Sequence, residues 1–254
     1  MQNNSYPLFA RGRTLKKESL DIMRDFPRDL FDIAFCEYSD GVLYGLSVSA
    51  QHEHVYVSSG AIKHLGNIII IKQQALPFTM FEQFVSVKVS IGSKETSKDF
   101  ETISLEIKTD TNLSLHKNEW ELGRFTLSKG ARLRLEYTGV SDFKTPNNTL
   151  DLTEVLYAGV GKATFSVKLL KIFAQTLLQV ANPSPIDTSF AFTVLNSERV
   201  QRDFILWYIA KRLNRPFAEL SNIEIYQNIV SIAGNKQVDA QLHVSSARKR
   251  PVIG

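Results

Sequence analysis

The chain is poor in cysteine, has no long hydrophobic run and carries no strong excess of one charge. Its single cysteine, Cys36, cannot form an internal disulfide, and its apolar neighbours in FDIAFCEY predict a buried free thiol. The longest apolar run, IIII at 68–71, is far too short to cross a bilayer. The 30 basic residues are scattered among 26 acidic ones, for a net charge of +4. We therefore expect no disulfide framework, no membrane insertion and no nucleic-acid binding.

Catalytic and nucleotide-binding motifs are also missing. The segment YAGVGKAT at 157–164 is similar to the end of a phosphate-binding loop, which requires Gly-x-x-x-x-Gly-Lys-[Ser/Thr]. Leu156 occupies the position of the first glycine, and Ala163 the position of the hydroxyl that binds magnesium. The sequence contains no Gly-x-Ser-x-Gly elbow, no His-Glu-x-x-His and no paired cysteine motif. It predicts a protein that is not an enzyme and binds no cofactor, with the glycines turning the chain into a helix.

The composition is that of an ordinary globular protein. With 254 residues, 43% of them hydrophobic and 22% charged, the chain can bury a real core in one large or two modest domains.

Residues 1–40 are interpreted as a helical or extended lead-in. Within them, TLKKESLDIMRDF has apolar residues near helical spacing, which predicts a short amphipathic helix that ends before Pro27.

Alternating apolar residues predict an antiparallel β domain over 41–137. Val42, Tyr44, Leu46 and Val48 are expected on one face of the first strand, and Asp-Gly and Gly-Asn pairs supply turns. Further strands are predicted at 84–91, 103–108, 120–128 and 131–137. At least six short strands in about 100 residues are typical of a β-sandwich or small barrel.

A helical pattern follows residues 138–165, which are interpreted as a linker and turn region. Helices are predicted at 166–181, 198–214 and 221–234, the last opened by the capping box Ser221-x-x-Glu224 and closed by Gly234. They form a helical domain over 166–234, and a basic tail occupies 235–254. The predicted fold class is α+β, with an N-terminal helical lead-in, an antiparallel β-sandwich or small barrel, and a C-terminal α-helical domain.

His52 and His54 are the sharpest candidates for metal binding. In an extended strand the two side chains would point to the same side, and copies around a three-fold axis would gather six imidazoles. Two ligands are too few for a site within one chain, and exposed histidines near a hairpin turn explain the same pattern. No metal site is therefore assigned.

The helix predicted at 198–214 has a wider apolar arc than one buried face needs. Val200, Phe204, Trp207 and Tyr208 fall on one side of it, and other apolar residues extend around the flank. Either this helix is central to the helical domain or it docks on a partner. Our hypothesis is an assembly interface at these four residues.

Five segments together carry a resemblance to a known family. In chain order, they are RGRTLKKESLDIMRDFPRDLFDI with YSDGVLYG, VYVSSGAIKHLGNIIII, WELGRFTLSKGARLR, YAGVGKATFS and LNRPFAELSNIEIYQ. This order resembles tail or baseplate proteins of phages and phage-like bacteriocins of Gram-positive bacteria. Some members are labelled DNA and RNA helicases, a label that the missing phosphate-binding loop does not support.

The resemblance implies a structural, non-enzymatic baseplate subunit that connects the tail tip to receptor-binding proteins or fibres. Its partners would be other tail proteins and further copies of itself, as a trimer or higher oligomer. It would be synthesised in the bacterial host cytoplasm and reside in the virion or phage-like particle.

The alternative is a module of the tail tip whose β domain binds cell-surface carbohydrate. Sugar sites favour exposed aromatic rings beside polar groups on a concave face. Trp120 is the only tryptophan within 41–137, so the signal for this alternative is thin.

Overall fold

The structure, a computed structural model, describes the backbone of residues 5–247 and the side chains of residues 5–234. Its elements, in chain order, are α1 Lys17–Ala34, β1 Gly41–Gly45, β2 Val48–Gln51, β3 His54–Val57, β4 Gly60–His64, β5 Asn67–Ile71, β6 Gln74–Pro77, β7 Phe84–Thr96, β8 Glu101–Asp110, β9 Glu119–Thr126, α2 Val167–Leu178, α3 Pro185–Leu195, α4 Arg202–Arg212 and α5 Asn222–Ala247. A short 3₁₀ helix, Val140–Lys144, lies between β9 and α2. Helices and antiparallel strands are both present, as the predicted α+β class requires.

Strands β1 to β6 form one bent antiparallel sheet, which we call the meander; it is three strands wide because each long strand is divided in two at the bend. The sheet β1-β4-β5 continues into the sheet β2-β3-β6, since residues 54–64 pair with residues 67–77 in a single register without a shift. Gly45 pairs with Gly60 at the bend, and the backbone bond from Ser58 N–H to Ser47 O continues the ladder beyond it. A Cβ on Gly60 would lie 2.3 Å from the carbonyl oxygen of Tyr44. The bend therefore requires glycine because the two backbones approach too closely for a side chain.

The remaining strands form a third antiparallel sheet in the order β8-β7-β9. Val85, Val87 and Val89 of the central strand β7 are fully buried, which is the burial expected of a strand paired on both edges. The pairing among the described strands closes no barrel. The sandwich stays a prediction.

Two predicted features of the β region are wrong. The segment 131–137 is not a strand; it makes one isolated bridge, Arg134 to Thr149. Its alternation reflects a buried Leu133 beside Arg134, whose guanidinium binds the carboxylate of Asp142 in a bidentate pair. Tyr44 does not share a buried face with its neighbours, because a bulge in β1 turns it to solvent.

Helix α1 does not end before Pro27 but passes through it to Ala34. Proline removes one helical hydrogen bond, and here the carbonyl that loses its donor belongs to Met23 on an exposed helix, where water can replace the bond. Cys36, just beyond the helix, is exposed and not buried as predicted. Its apolar neighbours belong to a helix with no buried residue, so they provide no core around the thiol.

The helical region contains four helices among the described residues, where three were predicted. The additional helix, α3, begins at Pro185, just beyond the predicted helix at 166–181. Ser184 caps it by accepting from the Asp187 N–H at 3.3 Å, and Pro185 occupies its first turn. Helices α2 and α4 lie within their predicted ranges.

Helix α5 begins as predicted but does not end as predicted. The capping box is confirmed, because Ser221 N–H donates to the Glu224 carboxylate at 2.7 Å and Glu224 N–H to the Ser221 hydroxyl at 3.3 Å. The helix continues through Gly234 to Ala247, into the range predicted as a tail. The side chains of 235–254 and the backbone of 248–254 lie outside the described residues.

One hydrophobic core joins the strands to the helices. It runs from the meander through the buried side chains of the 138–165 segment to α2, α3, α4 and α5. Within that segment, Asp151 exchanges two backbone hydrogen bonds with Arg124 of β9, at 2.9 and 2.7 Å. The predicted linker is therefore a packed part of the fold in the described chain.

Candidate interaction surfaces

The four residues predicted as an interface on the helix at 198–214 do not form one surface. Val200 and Tyr208 are buried, at 3% and 5% exposure, whereas Trp207 is 52% exposed and Phe204 is half-buried. The apolar arc is wide because one side of the helix completes the core and the adjacent apolar side is exposed to solvent. Only Trp207 and part of Phe204 are accessible to a partner.

Tyr208 is held inside the helical region by packing and by a polar network. Its ring lies 3.8 Å from that of Phe190, centroid to centroid, in a nearly parallel stack. Its hydroxyl donates to Asp187 Oδ1 at 2.7 Å, and Arg212 Nε donates to the same oxygen at 3.1 Å. Burial, followed by the bond to Asp187, raises the pKa of the Tyr208 hydroxyl. Tyr208 therefore serves the core of this chain.

Trp207 lies on an exposed aromatic surface. Its ring packs against Phe217 with the centroids 4.6 Å apart. Beside it is a shallow cavity of about 190 Å³ lined by Ile186, Ser189, Phe190, Phe204, Trp207, Tyr208 and Lys211. We call Ile186, Phe204, Trp207 and Phe217 the tryptophan surface. A solvated tryptophan beside an apolar cavity is typical of an interaction site.

Helix α1 provides a second surface, which sequence analysis missed. None of its 18 residues is buried. One half of the helix is apolar except for Ser19 and carries Leu20, Ile22, Met23, Phe26, Pro27, Leu30, Phe31, Ile33 and Ala34, whereas the other half is charged. We call this apolar half the α1 face. The amphipathic spacing was visible in the sequence, but treating Pro27 as a stop halved the helix and hid the extent of the face.

The end of α1 is fixed to the meander. The Lys63 ammonium, on β4, donates to the carbonyl oxygens of Phe35, Cys36 and Tyr38 at 2.6, 3.2 and 2.7 Å. The Phe35 ring also makes an edge contact with Tyr44, with the centroids 6.0 Å apart. A cation that binds carbonyls just beyond a helix C-terminus stabilises that end. The α1 face thus starts from a fixed point on the β region.

Between α1 on one side and β5 and the third sheet on the other lies a cavity of about 410 Å³, which we call the α1 groove. One wall carries Arg24, Pro27, Arg28, Phe31 and Asp32 of α1, and the other carries Gly66, Asn67, Ile68, Ile70, Lys94, Glu101 and Ile103. Its apolar floor includes Ile70, a β5 residue that is 73% exposed. Arg28 reaches across to Glu101 at 3.8 Å, and Lys94 pairs with the same carboxylate at 2.7 Å.

His52 and His54 do not share one face of a strand. His52 is in the turn between β2 and β3, with a φ of 56°, and His54 begins β3. Both are exposed beside a cavity of about 580 Å³ that Lys129 and Arg132 also line. Within the described residues, no three His, Cys, Asp or Glu side chains gather as a metal ion would require. A site shared between copies stays a hypothesis.

The side chains considered for nucleotide and sugar binding are engaged in other contacts. Lys162 forms ion pairs with Asp203, at 3.1 Å, and with Glu219. Trp120 is half-buried, and its indole N–H donates to His64 Nδ1 at 3.2 Å. The indole N–H of Trp120 is therefore already paired within the chain, and the carbohydrate alternative stays a prediction.

No protein-family profile and no curated protein sequence matches the chain. Among solved structures, it is similar to a crystal structure of TssK at a TM-score of 0.42 and 8% sequence identity, over 90% of this chain and 69% of that one. A likeness this distant leaves the fold and the function to be argued from the chain's own residues. In the part of the chain that the structure describes, no helix has the length and apolarity to span a bilayer.

Proposed function

We propose that the chain is a structural, non-enzymatic subunit of the baseplate of a contractile injection system. The observation that carries the proposal is the pair of separate apolar surfaces, the α1 face and the tryptophan surface, on one folded chain. Contiguous exposed apolar patches of this kind mark sites of protein interaction. A subunit that joins two neighbours needs two such sites.

The construction of the chain supports this function. The two surfaces are attached to one continuous core, so a partner bound at one surface is held in a fixed relation to the body that carries the other. Lys63 secures the end of α1, and the Tyr208 network secures α4. Fixed attachment points suit a connector, because a connector must hold its two neighbours at a defined distance and orientation.

The finer proposal is a tail baseplate of a phage or phage-like bacteriocin. The chain would connect the tail tip to receptor-binding proteins or fibres and would reside in the particle. The resemblance of five segments, in order, supports this assignment. The tryptophan surface is the candidate contact for the neighbouring tail protein, because it presents a half-exposed aromatic anchor beside a cavity.

The test is to delete the gene in the strain that encodes the chain and to examine the purified particles by electron microscopy. We expect particles that lack the tip density or the fibres, restored by the wild-type gene on a plasmid. A tagged chain should co-purify with intact particles. Normal particles after deletion, or a tagged chain found only in the free fraction, would contradict the proposal.

A further inference from the structure

We propose that the α1 face is the docking site for further copies of this chain, through parallel packing of their α1 helices. The inference deepens the proposed function, because it names the surface through which copies meet. It rests on that function only for the statement that the assembly belongs to a baseplate. Four observations carry it: the exposed area, the width of the apolar half, the separation of charges along its two edges and the groove beside it.

The exposed apolar area is sufficient for a stable interface. Nine large apolar side chains between residues 8 and 33 are each at least 47% exposed, namely Leu8, Phe9, Leu15, Leu20, Met23, Phe26, Leu30, Phe31 and Ile33. If each presents about half of roughly 200 Å², they offer on the order of 1,000 Å². A specific interface buries about 800 Å² per partner. Six of the nine belong to α1 and three to the segment before it, whose Tyr6 ring contacts Phe26 of α1 with the centroids 5.8 Å apart, so helix and segment together provide an interface of standard size.

The width of the α1 face indicates more than two copies. Two paired helices cover the narrow seam of residues that repeats every seven positions, whereas here the apolar residues occupy about half of the helix circumference. A helix in a ring of three or more contacts two neighbours and so buries a wider stripe. We infer a cyclic bundle of at least three α1 helices.

Charges of opposite sign border the two edges of the α1 face. On a helical projection, Lys17, Arg24 and Arg28 follow one edge, and Glu18, Asp25 and Asp29 follow the other. In a parallel ring, the basic edge of each helix faces the acidic edge of the next. In an antiparallel pair, edges of like charge would meet. Edge charges of this kind set the orientation in which helices associate.

The α1 groove fits this arrangement. The basic edge of α1 forms one wall, with Arg24 and Arg28, and Lys94 stands on the other wall. Arg24, Arg28 and Lys94 outnumber Asp32 and Glu101 around the apolar floor, so the groove has a net positive charge that matches the acidic and apolar sides of a neighbour's α1. The existing pairs of Arg24 with Asp21 and Asp25, at 3.2 and 2.7 Å, are exposed, so exchanging them for pairs between copies costs little.

The same charges disfavour a lipid surface as the occupant. Amphipathic helices that lie on anionic membranes carry lysine and arginine on the polar face. The polar half of α1 has five carboxylates, from Glu18, Asp21, Asp25, Asp29 and Asp32, against three cations. Its net charge would be repelled by an anionic bilayer.

The experiment measures the mass of the full chain in solution by light scattering after size exclusion. We expect a species of at least about three times the 28.7 kDa chain. The double variant Met23→Asp and Leu30→Asp places charge on the α1 face at two exposed positions and should reduce the mass to that of one chain, with unchanged circular dichroism. Trp207→Ala, on the other surface, is the matched control and should leave the oligomer intact.

Orientation is tested by cross-linking. In a Cys36→Ser background, Leu30→Cys, near the centre of the α1 face, brings equivalent residues together only if the helices are parallel, so oxidation should give covalent dimers at high yield. Oligomers that do not cross-link would overturn the parallel arrangement. A wild-type chain that is monomeric or dimeric would overturn the ring. If that monomer also binds vesicles of equal parts phosphatidylcholine and phosphatidylserine, the occupant of the α1 face is a lipid surface and not another copy.

The outcomes separate this inference from the proposed function. A monomeric chain that still enters particles overturns the docking of copies and leaves the baseplate function. An oligomer that is disrupted by the α1 variant but never found in particles supports the docking and overturns the baseplate function.

Discussion

On helix α4, two adjacent aromatic residues have different roles. Tyr208 stacks on Phe190 inside the core and donates to a buried carboxylate, whereas the neighbouring Trp207 ring meets solvent and Phe217. Sequence spacing places both on the apolar arc but cannot rank them. The distinction arises because α3 packs on one side of α4, and α3 was not predicted.

Alanine substitution should separate the two roles. Tyr208→Ala removes a buried ring and leaves Asp187 short of a donor, so we expect a loss of roughly 3–5 kcal/mol. That loss corresponds to a fall in melting temperature of about 10 °C for a chain of this size. Trp207→Ala should cost about 1 kcal/mol and reduce incorporation into particles. Equal melting losses for both variants would show that Trp207 is ordinary core.

Glu119 gives the fold a defined sensitivity to acid. The bond from the Lys108 ammonium, at 2.7 Å, and the His116 backbone N–H lower the pKa of this carboxylate to about 2. Because the folded pKa lies below the unfolded value, the stabilisation is fully present above the unfolded pKa of about 4.3 and is lost as pH falls towards 2. Glu119→Gln lacks this stabilisation.

Denaturant unfolding from pH 7 to pH 2 should therefore show a difference between wild type and Glu119→Gln that narrows below about pH 4.5. Comparing the two proteins at each pH removes the contribution of the other carboxylates. A difference that is constant over the whole range would mean that Glu119 acts through packing and not through its charge.

At the scale of elements, the bend in the meander depends on two facing glycines. Gly60→Ala would place a methyl group 2.3 Å from the Tyr44 carbonyl oxygen and 2.6 Å from the Leu46 nitrogen, both of which are backbone atoms. Backbone cannot yield as a side chain does, so we expect a loss of about 3 kcal/mol or more, measured by thermal melting.

Gly139→Ala is the control for that substitution. A Cβ at this position has nothing within 4 Å, and its backbone is extended, with a φ of 179°. Alanine should therefore change stability by about 0.5 kcal/mol or less. Equal losses at both glycines would contradict close backbone approach as the cause.

The elements that the sequence predicted well are those set by local signals. The Ser221 capping box, α2 and the alternating strands β7, β8 and β9 follow from neighbouring residues alone. The errors depend on context. Pro27 is tolerated because α1 is exposed, and the RLRL pattern at 132–135 lies against a pairing partner, Asp142, that spacing cannot reveal.

The same division applies to the candidate surfaces. Trp207 was predicted because its helix has more apolar residues than one face can bury. The α1 face was missed because the sequence does not show that the rest of the chain leaves this apolar half exposed; only the packed structure shows it. A sequence gives the pattern of an amphipathic helix, but the position of that helix relative to the core decides whether its apolar half is buried or exposed.

At the scale of the whole molecule, the sequence predicts two domains, a β domain at 41–137 and a helical domain at 166–234. If they were separate, proteases would cut first within residues 138–165. Against that expectation, Val140, Phe143, Leu150, Val155 and Ala158 are buried there. Backbone bonds to β9 and β1 hold the same segment, and the hydrophobic core is continuous across it.

Proteolysis requires a segment to open, and opening is easiest where few contacts are lost. For the monomeric variant Met23→Asp and Leu30→Asp, we therefore expect a protease of broad specificity to cut first between residues 5 and 34, because α1 has no buried residue. Residues 138–165 should resist until the whole chain unfolds in one transition. Mass spectrometry of the early fragments, with intrinsic fluorescence during denaturation, measures both. Early cleavage inside 138–165 with two stable halves would restore the two-domain division. If copies dock through the α1 face as proposed, cleavage in α1 of the wild-type chain should be slower, because the neighbours' helices would cover the same bonds.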